Sequence, residues 1–243
     1  MALRADQSVR AVDGPVPLAS LVHAFGVRPD LTVPVFTWKE DRIAVGLLRG
    51  IRRVGIAETL RVELDDGNSV VCTADSELVL RDGQPMKPAG LIAGVSLLPL
   101  YIHNDTYGYP VYKNIVLDPK AESTWKKVSW LVGEWKYGGP LPKGTVVRYL
   151  SKDRTNVHPD NLEVKLNARS PKRKMNYGIS EVLGEAAELF EEAADLGERF
   201  QRIIDDNNHK VVGVTVMEPD EVFDLDVDGA TVAVSGVFIR HVG

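Results

Sequence analysis

The stretch from Leu60 to Leu100, LRVELDDGNSVVCTADSELVLRDGQPMKPAGLIAGVSLLPL, decides how the chain folds. Val and Leu recur in it with partial alternation over 60–64 and 69–73, the period of a half-buried strand. Between the two runs, Asp65-Asp66-Gly67-Asn68 predicts a turn, because Gly and Asn accept the positive φ that tight hairpins require. A third strand is predicted over 77–80, ending in a second turn at Asp82-Gly83. From Pro88 the segment PAGLIAGVSL leads into a last apolar run.

Working outward, 243 residues are enough for one large or two small domains with a real core. A hydrophobic content of 44% is that of an ordinary soluble protein. No apolar run approaches the roughly 18–20 residues of a membrane span. The opening MALRADQSVR lacks the apolar stretch of a signal peptide. The lone cysteine, Cys72, excludes an internal disulfide framework and any multi-cysteine zinc site; it fits a reducing compartment, or a virus made in one. His23, His103, His158, His209 and His241 are scattered, none at ligand spacing from another, so neither metal nor cofactor is expected.

The net charge of −5 is unevenly spread. Residues 113–174 hold 14 Lys and Arg against 6 Asp and Glu, a balance of +8 that leaves −13 on the rest. Such a basic segment can attract phosphate backbones. It reads equally as a Lys-rich solvated surface.

Residues 2–59 read as short strands with Gly and Pro punctuation: Val33–Trp38 and Ile43–Leu48 as strands, and Lys39–Arg42 as the turn joining them. After Leu100 aromatic residues and basic charge become frequent, and a boundary is expected near 101–112. A helix is predicted over 179–206, where Ile179, Leu183, Ala186, Phe190, Ala193, Phe200 and Ile204 share one face and Ser180 caps the start. Its Glu185, Glu188, Glu191 and Glu192 read as a solvated face, because no second carboxylate helix completes a metal cluster. The tail returns to strands at Val211–Val216, Val222–Val227 and Thr231–Ile239.

Several of these stretches resemble the Hint module of inteins and hedgehog-type autoprocessing proteins. In that family a strand ends in Thr-x-x-His; here Thr73 fits and Ser76 takes the His position. Leu3, Asp6 and Val9 are similar to the family's opening motif, with Ala2 where the splicing nucleophile stands. Val222–Val227 and Ser235–Ile239 resemble its closing motifs, in which the internal His-Asn is replaced near Thr231-Val232 and the terminal His-Asn by Arg240-His241. Gly138–Glu163 resembles the HNH homing-endonuclease pattern. Pro142-Lys143-Gly144, Val146-Val147, Asn156, Pro159, Asn161 and Leu162 fit it, and Val128–Val132 is similar to its upstream helix. Arg148 and Tyr149 occupy its paired catalytic positions, and Ser151 the following Asp position.

The resemblance implies a mainly β, horseshoe-shaped Hint-like module made of N- and C-terminal parts together, with an inserted α+β HNH-like region and one long helix. The expected divisions are 1–102, 103–175, 176–208 and 209–243. Splicing needs a Cys or Ser nucleophile, an imidazole to protonate the departing amine, and a terminal His-Asn. Ala2, Ser76, Arg240 and His241 supply none of these in the right place. Cys72 is a displaced-nucleophile candidate, but a small buried residue is the better reading. Tyr149, with an ordinary pKa of about 10, cannot serve as a base near neutral pH, and Arg148 would repel a metal. His158 reads as a turn-closing residue before Asn161, with a rescued catalytic or metal role as the alternative. No catalytic residue is therefore assigned.

The expected function is that of an intein-derived chain, deficient in splicing and strand cleavage, acting as a binding or assembly component. The resemblance points to a phage gene, with the protein in the cytoplasm of the producing cell or in the virion. Its expected partner is another protein, not a membrane. One alternative is a DNA-binding protein or HNH endonuclease, with Lys143, Arg148, Lys152, Arg154, Lys172, Arg173 and Lys174 contacting phosphates. Another is residual self-processing. Whether the replacements are natural or engineered stays open, with replacement by residues other than alanine favouring the natural origin. The tail strands cannot bury their apolar faces alone, so they are predicted to pair with the N-terminal strands. That closure should bring Ala2 near Arg240-His241, with Thr73 and Ser76 in a cleft short of proton-transfer groups.

Overall fold

The computed structural model describes residues 1–115, 124–166, 209–229 and 231–240. The chain starts with a two-residue strand, β1 (Leu3–Arg4), and a hairpin, β2 (Ser8–Ala11) and β3 (Gly14–Pro17). Helix α1 (Leu18–Val27) follows at once. It has no side-chain cap; instead Leu18 N donates to Gln7 O at 2.8 Å and Ala19 N to Ala5 O at 3.1 Å, satisfying two of the open N–H groups of its first turn. Leu18, Leu21 and Phe25, spaced three and four apart, are its buried face.

Strands β4 (Val33–Lys39) and β5 (Arg42–Leu64) form the next hairpin. Its turn residues Glu40 and Asp41 both have positive φ, 53° and 56°, the backbone of a type I′ turn. Where the sequence predicts separate strands over 43–48 and 60–64, β5 is one strand of 23 residues. Beyond the turn at Gly67 (φ 83°) come β6 (Ser69–Thr73), β7 (Glu77–Val79) and β8 (Pro85–Met86).

The middle segment builds two small sheets. Strands β9 (Ile102–Asn104), β10 (Pro110–Asn114) and β11 (Thr124–Lys127) form one; β12 (Val146–Tyr149) and β13 (Leu162–Lys165) form the other. Helix α2 (Val128–Tyr137) packs between them and the main sheet. It ends on Gly138 in the left-handed conformation, whose N–H donates to Glu134 O at 3.0 Å. Gly133 lets α2 sit directly on β12: a Cβ there would lie 2.8 Å from Val147 Cγ2. The helix predicted over 179–206 lies outside the described residues.

The tail runs as β14 (Val211–Val227), β15 (Thr231–Val234) and β16 (Val237–Arg240). The single strand predicted over 231–239 is a hairpin, because Ser235 and Gly236 take positive φ (48° and 90°) and reverse the chain. Strand β14 is likewise continuous where two strands are predicted. It pairs antiparallel with β5 from Val211 opposite Leu64 to Val227 opposite Leu48, with bulges on the way. It also pairs with β1, through Leu3 opposite Phe223. Since β1 pairs with β6 and β6 with β5, these four strands close on themselves. Then β15 joins β2, and β16 joins β7. The tail thus pairs with N-terminal strands throughout, and the molecule is mainly β.

One core is built from both halves of the module, including Leu3, Leu48, Val62, Cys72, Leu225, Val234 and Ile239. The second brings Phe36, Trp38 and Phe238 together with Tyr112, Leu131, Val157 and Leu162, so the middle segment shares buried surface with the main sheet. The main-sheet residues on either side of 98–208 are neighbours: Leu97 N donates to His209 O at 3.0 Å.

The left-handed Glu40-Asp41 turn carries strain that Asn-Gly would not, of the order of 1 kcal/mol per residue. The double substitution Glu40→Asn, Asp41→Gly is expected to raise the guanidinium unfolding midpoint, by about 1 kcal/mol in stability. An unchanged or lowered midpoint would refute this account of the turn.

Candidate functional site

The ends of the module converge where β1, β6, β7 and β16 meet. Ala2 lies against the end of β6: its N–H donates to Thr73 Oγ1 at 3.3 Å, and Thr73 N donates to Ala2 O at 3.0 Å. A tight turn then brings Ser76 back, its N–H donating to Thr73 O at 3.0 Å. The hydroxyls of Thr73 and Ser76 sit 3.1 Å apart, both buried. One residue on, Glu77 pairs with Arg240, whose guanidinium is 3.9 Å from the Glu77 carboxylate. Met1 is also buried, its ammonium 3.7 Å from Asp224. Ala2, Thr73 and Ser76 are thus brought together, and Arg240 is tied to the next residue, Glu77, while His241 lies outside the described residues.

The expected shortage of proton-transfer groups is not complete, because Asp75 stands in the same turn. The Thr73 side chain holds its carboxyl below the usual range, against a smaller opposing effect of burial. Its place between Thr73 and Ser76 in the sequence is the signal for it. Cys72, opposite Leu3, is fully buried. Burial pushes its thiol up to about 12, with the Ser76 hydroxyl acting in the other direction. Such a thiol is almost wholly protonated at neutral pH and is a poor nucleophile. Near the tail, the Thr231 hydroxyl accepts from Trp38 N at 2.6 Å and donates to Trp38 O at 3.0 Å, a purely structural use.

The second constellation is the β12–β13 hairpin and its loop. Arg148, on β12, is exposed. Tyr149 is half-buried; burial raises its phenol, against the effect of Ser129 beside it. Ser151 N donates to Asn161 Oδ1 at 2.9 Å, and Asn161 Nδ2 donates to Asn156 O at 2.7 Å, so Asn161 clamps both sides of the loop. His158 Nδ1 accepts from Asp160 N at 3.3 Å and closes a turn. Lys136 Nζ, from α2, donates to Pro159 O and Leu162 O, each at 2.6 Å, and holds the loop to the helix. Lys143 and Lys152 are exposed near Arg148 in the chain. Arg154 donates to Tyr107 O at 3.3 Å and lies over the Tyr109 ring, which also carries Lys127. Lys172, Arg173 and Lys174 lie outside the described residues.

No protein-family model matches the chain, and no curated protein matches it. Among the solved structures it is similar to are inteins. The DnaB intein from Synechocystis sp. PCC 6803 is 9% identical, with a TM-score of 0.46 over 98% of this chain and 96% of that one. The DnaX mini intein from Spirulina platensis is 9% identical, with a TM-score of 0.48 over 99% of this chain and all of that one. The TvoVMA intein is 10% identical, with a TM-score of 0.48 over 99% and 98%.

The state of Cys72 sets an expectation for reactivity and for stability. A maleimide should leave the native chain unlabelled at pH 8 and label it fully in guanidinium. Native labelling at the unfolded rate would place the thiol outside the core. The pH dependence has a definite sign. The unfolded chain forms the thiolate from about 9, the folded chain only near 12. The stability linked to this group is therefore full below 9 and is lost as pH rises from 9 towards 12, which denaturant titrations of the parent and of Cys72→Ala would reveal by difference.

Proposed function

We propose that this chain is an intein-derived module that neither splices nor cuts nucleic acid, and that it acts by binding a protein partner as an assembly component, encoded by a phage. The observation that carries this reading is the contact between Ala2 and the Thr73–Ser76 hydroxyl pair. An acyl shift at Met1–Ala2 would need a nucleophilic side chain on residue 2, and Ala2 offers a methyl group. It would also need a proton donor at the departing amide nitrogen. That N–H instead donates to Thr73 Oγ1, and a threonine hydroxyl does not act as an acid near neutral pH. Asp75, held ionised by its surroundings, is not a proton donor there either. A retained architecture around a site without its reagents is what a binding role would leave behind. With Arg148 and Tyr149 at the paired positions, the same argument applies to strand cleavage.

A second reading, nucleic-acid binding, draws support from the exposed Lys143, Arg148 and Lys152 on and beside one hairpin. In that case phosphate contacts would supply the affinity.

A fusion carrying a folded domain on each side of the chain separates these readings from self-processing. Its intact mass is expected to stay unchanged after incubation at pH 6–9, with or without a thiol. Excised or cleaved products would overturn the proposal. Co-purification from the producing cell is expected to yield one partner in stoichiometric amount. Gel-shift titration at two salt concentrations tests the second reading: DNA binding through the hairpin would show a steep salt dependence, reduced by about one contact in Lys152→Ala.

A further inference from the structure

A second polar cluster lies away from the converging ends, where the β5–β6 turn meets the residue before β14. Asp65, Asp66 and His209 place one imidazole nitrogen and two carboxylate oxygens within 4.8 Å of one another. His209 follows the adjacent aspartates by 143 to 144 residues, so no local spacing announces the group. His209 is only 5% exposed. Its Nδ1 faces Asp66, with Oδ2 at 3.1 Å, yet makes no hydrogen bond. A buried imidazole nitrogen left without a hydrogen bond is costly. The Tyr101 ring packs beside the imidazole, 5.2 Å between ring centres. On the other side of the imidazole, Gly236 crowds Nε2: a Cβ would come within 3.3 Å of it. The ring is thus confined with Nδ1 towards the carboxylates.

The carboxylates are fixed as well. Asp66 Oδ1 accepts from Asn68 N at 2.9 Å and Oδ2 from Asn68 Nδ2 at 2.7 Å. Asp65 Oδ1 accepts from Lys210 N at 3.0 Å, and Asp65 N donates to Lys210 O at 2.9 Å. Each oxygen retains lone-pair capacity, and such outer hydrogen bonds are what orient metal-ligating carboxylates.

We propose that Asp65, Asp66 and His209 form a binding site for a divalent transition ion of the zinc class, with water completing its coordination. One imidazole with two carboxylates suits Zn²⁺ and Co²⁺, while Mg²⁺ and Ca²⁺ favour all-oxygen sets. The outward-facing aspartates leave room for the water. The bound ion satisfies His209 Nδ1 and fastens the β5–β6 turn to the start of β14. It is a structural staple between the two parts of the module, and it stands whether or not the chain has lost its processing chemistry.

Co²⁺ titration of the full chain tests this, read by visible absorption, with Zn²⁺ added to displace the cobalt. The parent should give a ligand-field band that saturates at one Co²⁺ per chain, and Zn²⁺ should raise its thermal midpoint. Asp66→Asn keeps the shape that receives Asn68, so its fold is checked by circular dichroism; it should weaken Co²⁺ binding about tenfold or more. Asp65→Asn and His209→Gln should do the same. His158→Gln, at the unrelated imidazole–carboxylate pair, should leave binding unchanged. No band in the parent, equal affinity in folded Asp65→Asn and Asp66→Asn, or loss of binding in His158→Gln would each overturn the proposal.

Discussion

The ladder between β5 and β14 is the constraint on which the rest depends. It joins residues 48–64 to residues 211–227, bulging where the strands drift out of register. Between its pairings with β4 and β6, residues 49–58 of β5 lie against β14, and the ladder supplies their backbone partners. Once the ladder forms, Phe223 is placed to receive β1, β1 to receive β6, and the ring of four strands closes. The location of Ala2 follows from this closure, since β1 is too short to hold itself in place.

The same closure explains the character of the convergent site. Thr73 and Ser76 are positioned by backbone pairing and a turn, and their hydroxyls then satisfy each other. Cys72, Thr73 and Ser76 are buried, and there the thiol resists ionisation, while the exposed Asp75 beside them is held ionised by the Thr73 side chain. The hairpin of the middle segment shows the same economy. Asn161, His158 and Lys136 all spend their polar atoms on holding the loop in shape.

Much of this was legible in the residues. The turn at 65–68, the strands on either side of it and the pairing of the tail with the N-terminal strands follow from alternation, turn chemistry and the need to bury apolar faces. The continuity of β5 was not legible, because Gly50, Arg52, Arg53 and Gly55 interrupt its apolar pattern; that stretch is held by the opposing strand, not by its own propensity. The hairpin at Ser235-Gly236 carries a signal in its Ser-Gly pair, but the apolar residues on either side read as one strand over Thr231–Ile239. The grouping of His209 with Asp65 and Asp66 is a product of tertiary pairing alone. Asp75 is an exposed turn residue, and only the pairing that brings Ala2 to Thr73 puts its carboxylate beside the convergent ends.

The ladder has a consequence for how the molecule comes into being. During synthesis β5, β6 and β1 leave the ribosome long before β14, and β7 before β16. At ordinary elongation rates the interval from residue 64 to residue 227 is roughly ten to thirty seconds. Throughout it the nascent chain holds a strand of 23 residues without its main partner. Folding governed by contacts this distant in sequence is slow, and an open strand of that length invites association with other chains. Arg49, Arg52, Arg53, Glu58 and Glu63 along β5 put charge on the waiting strand, and the first three of these later find acidic partners on or just after β14. Charges that read as surface decoration in the finished protein are thus, in the unfinished one, a guard against premature company.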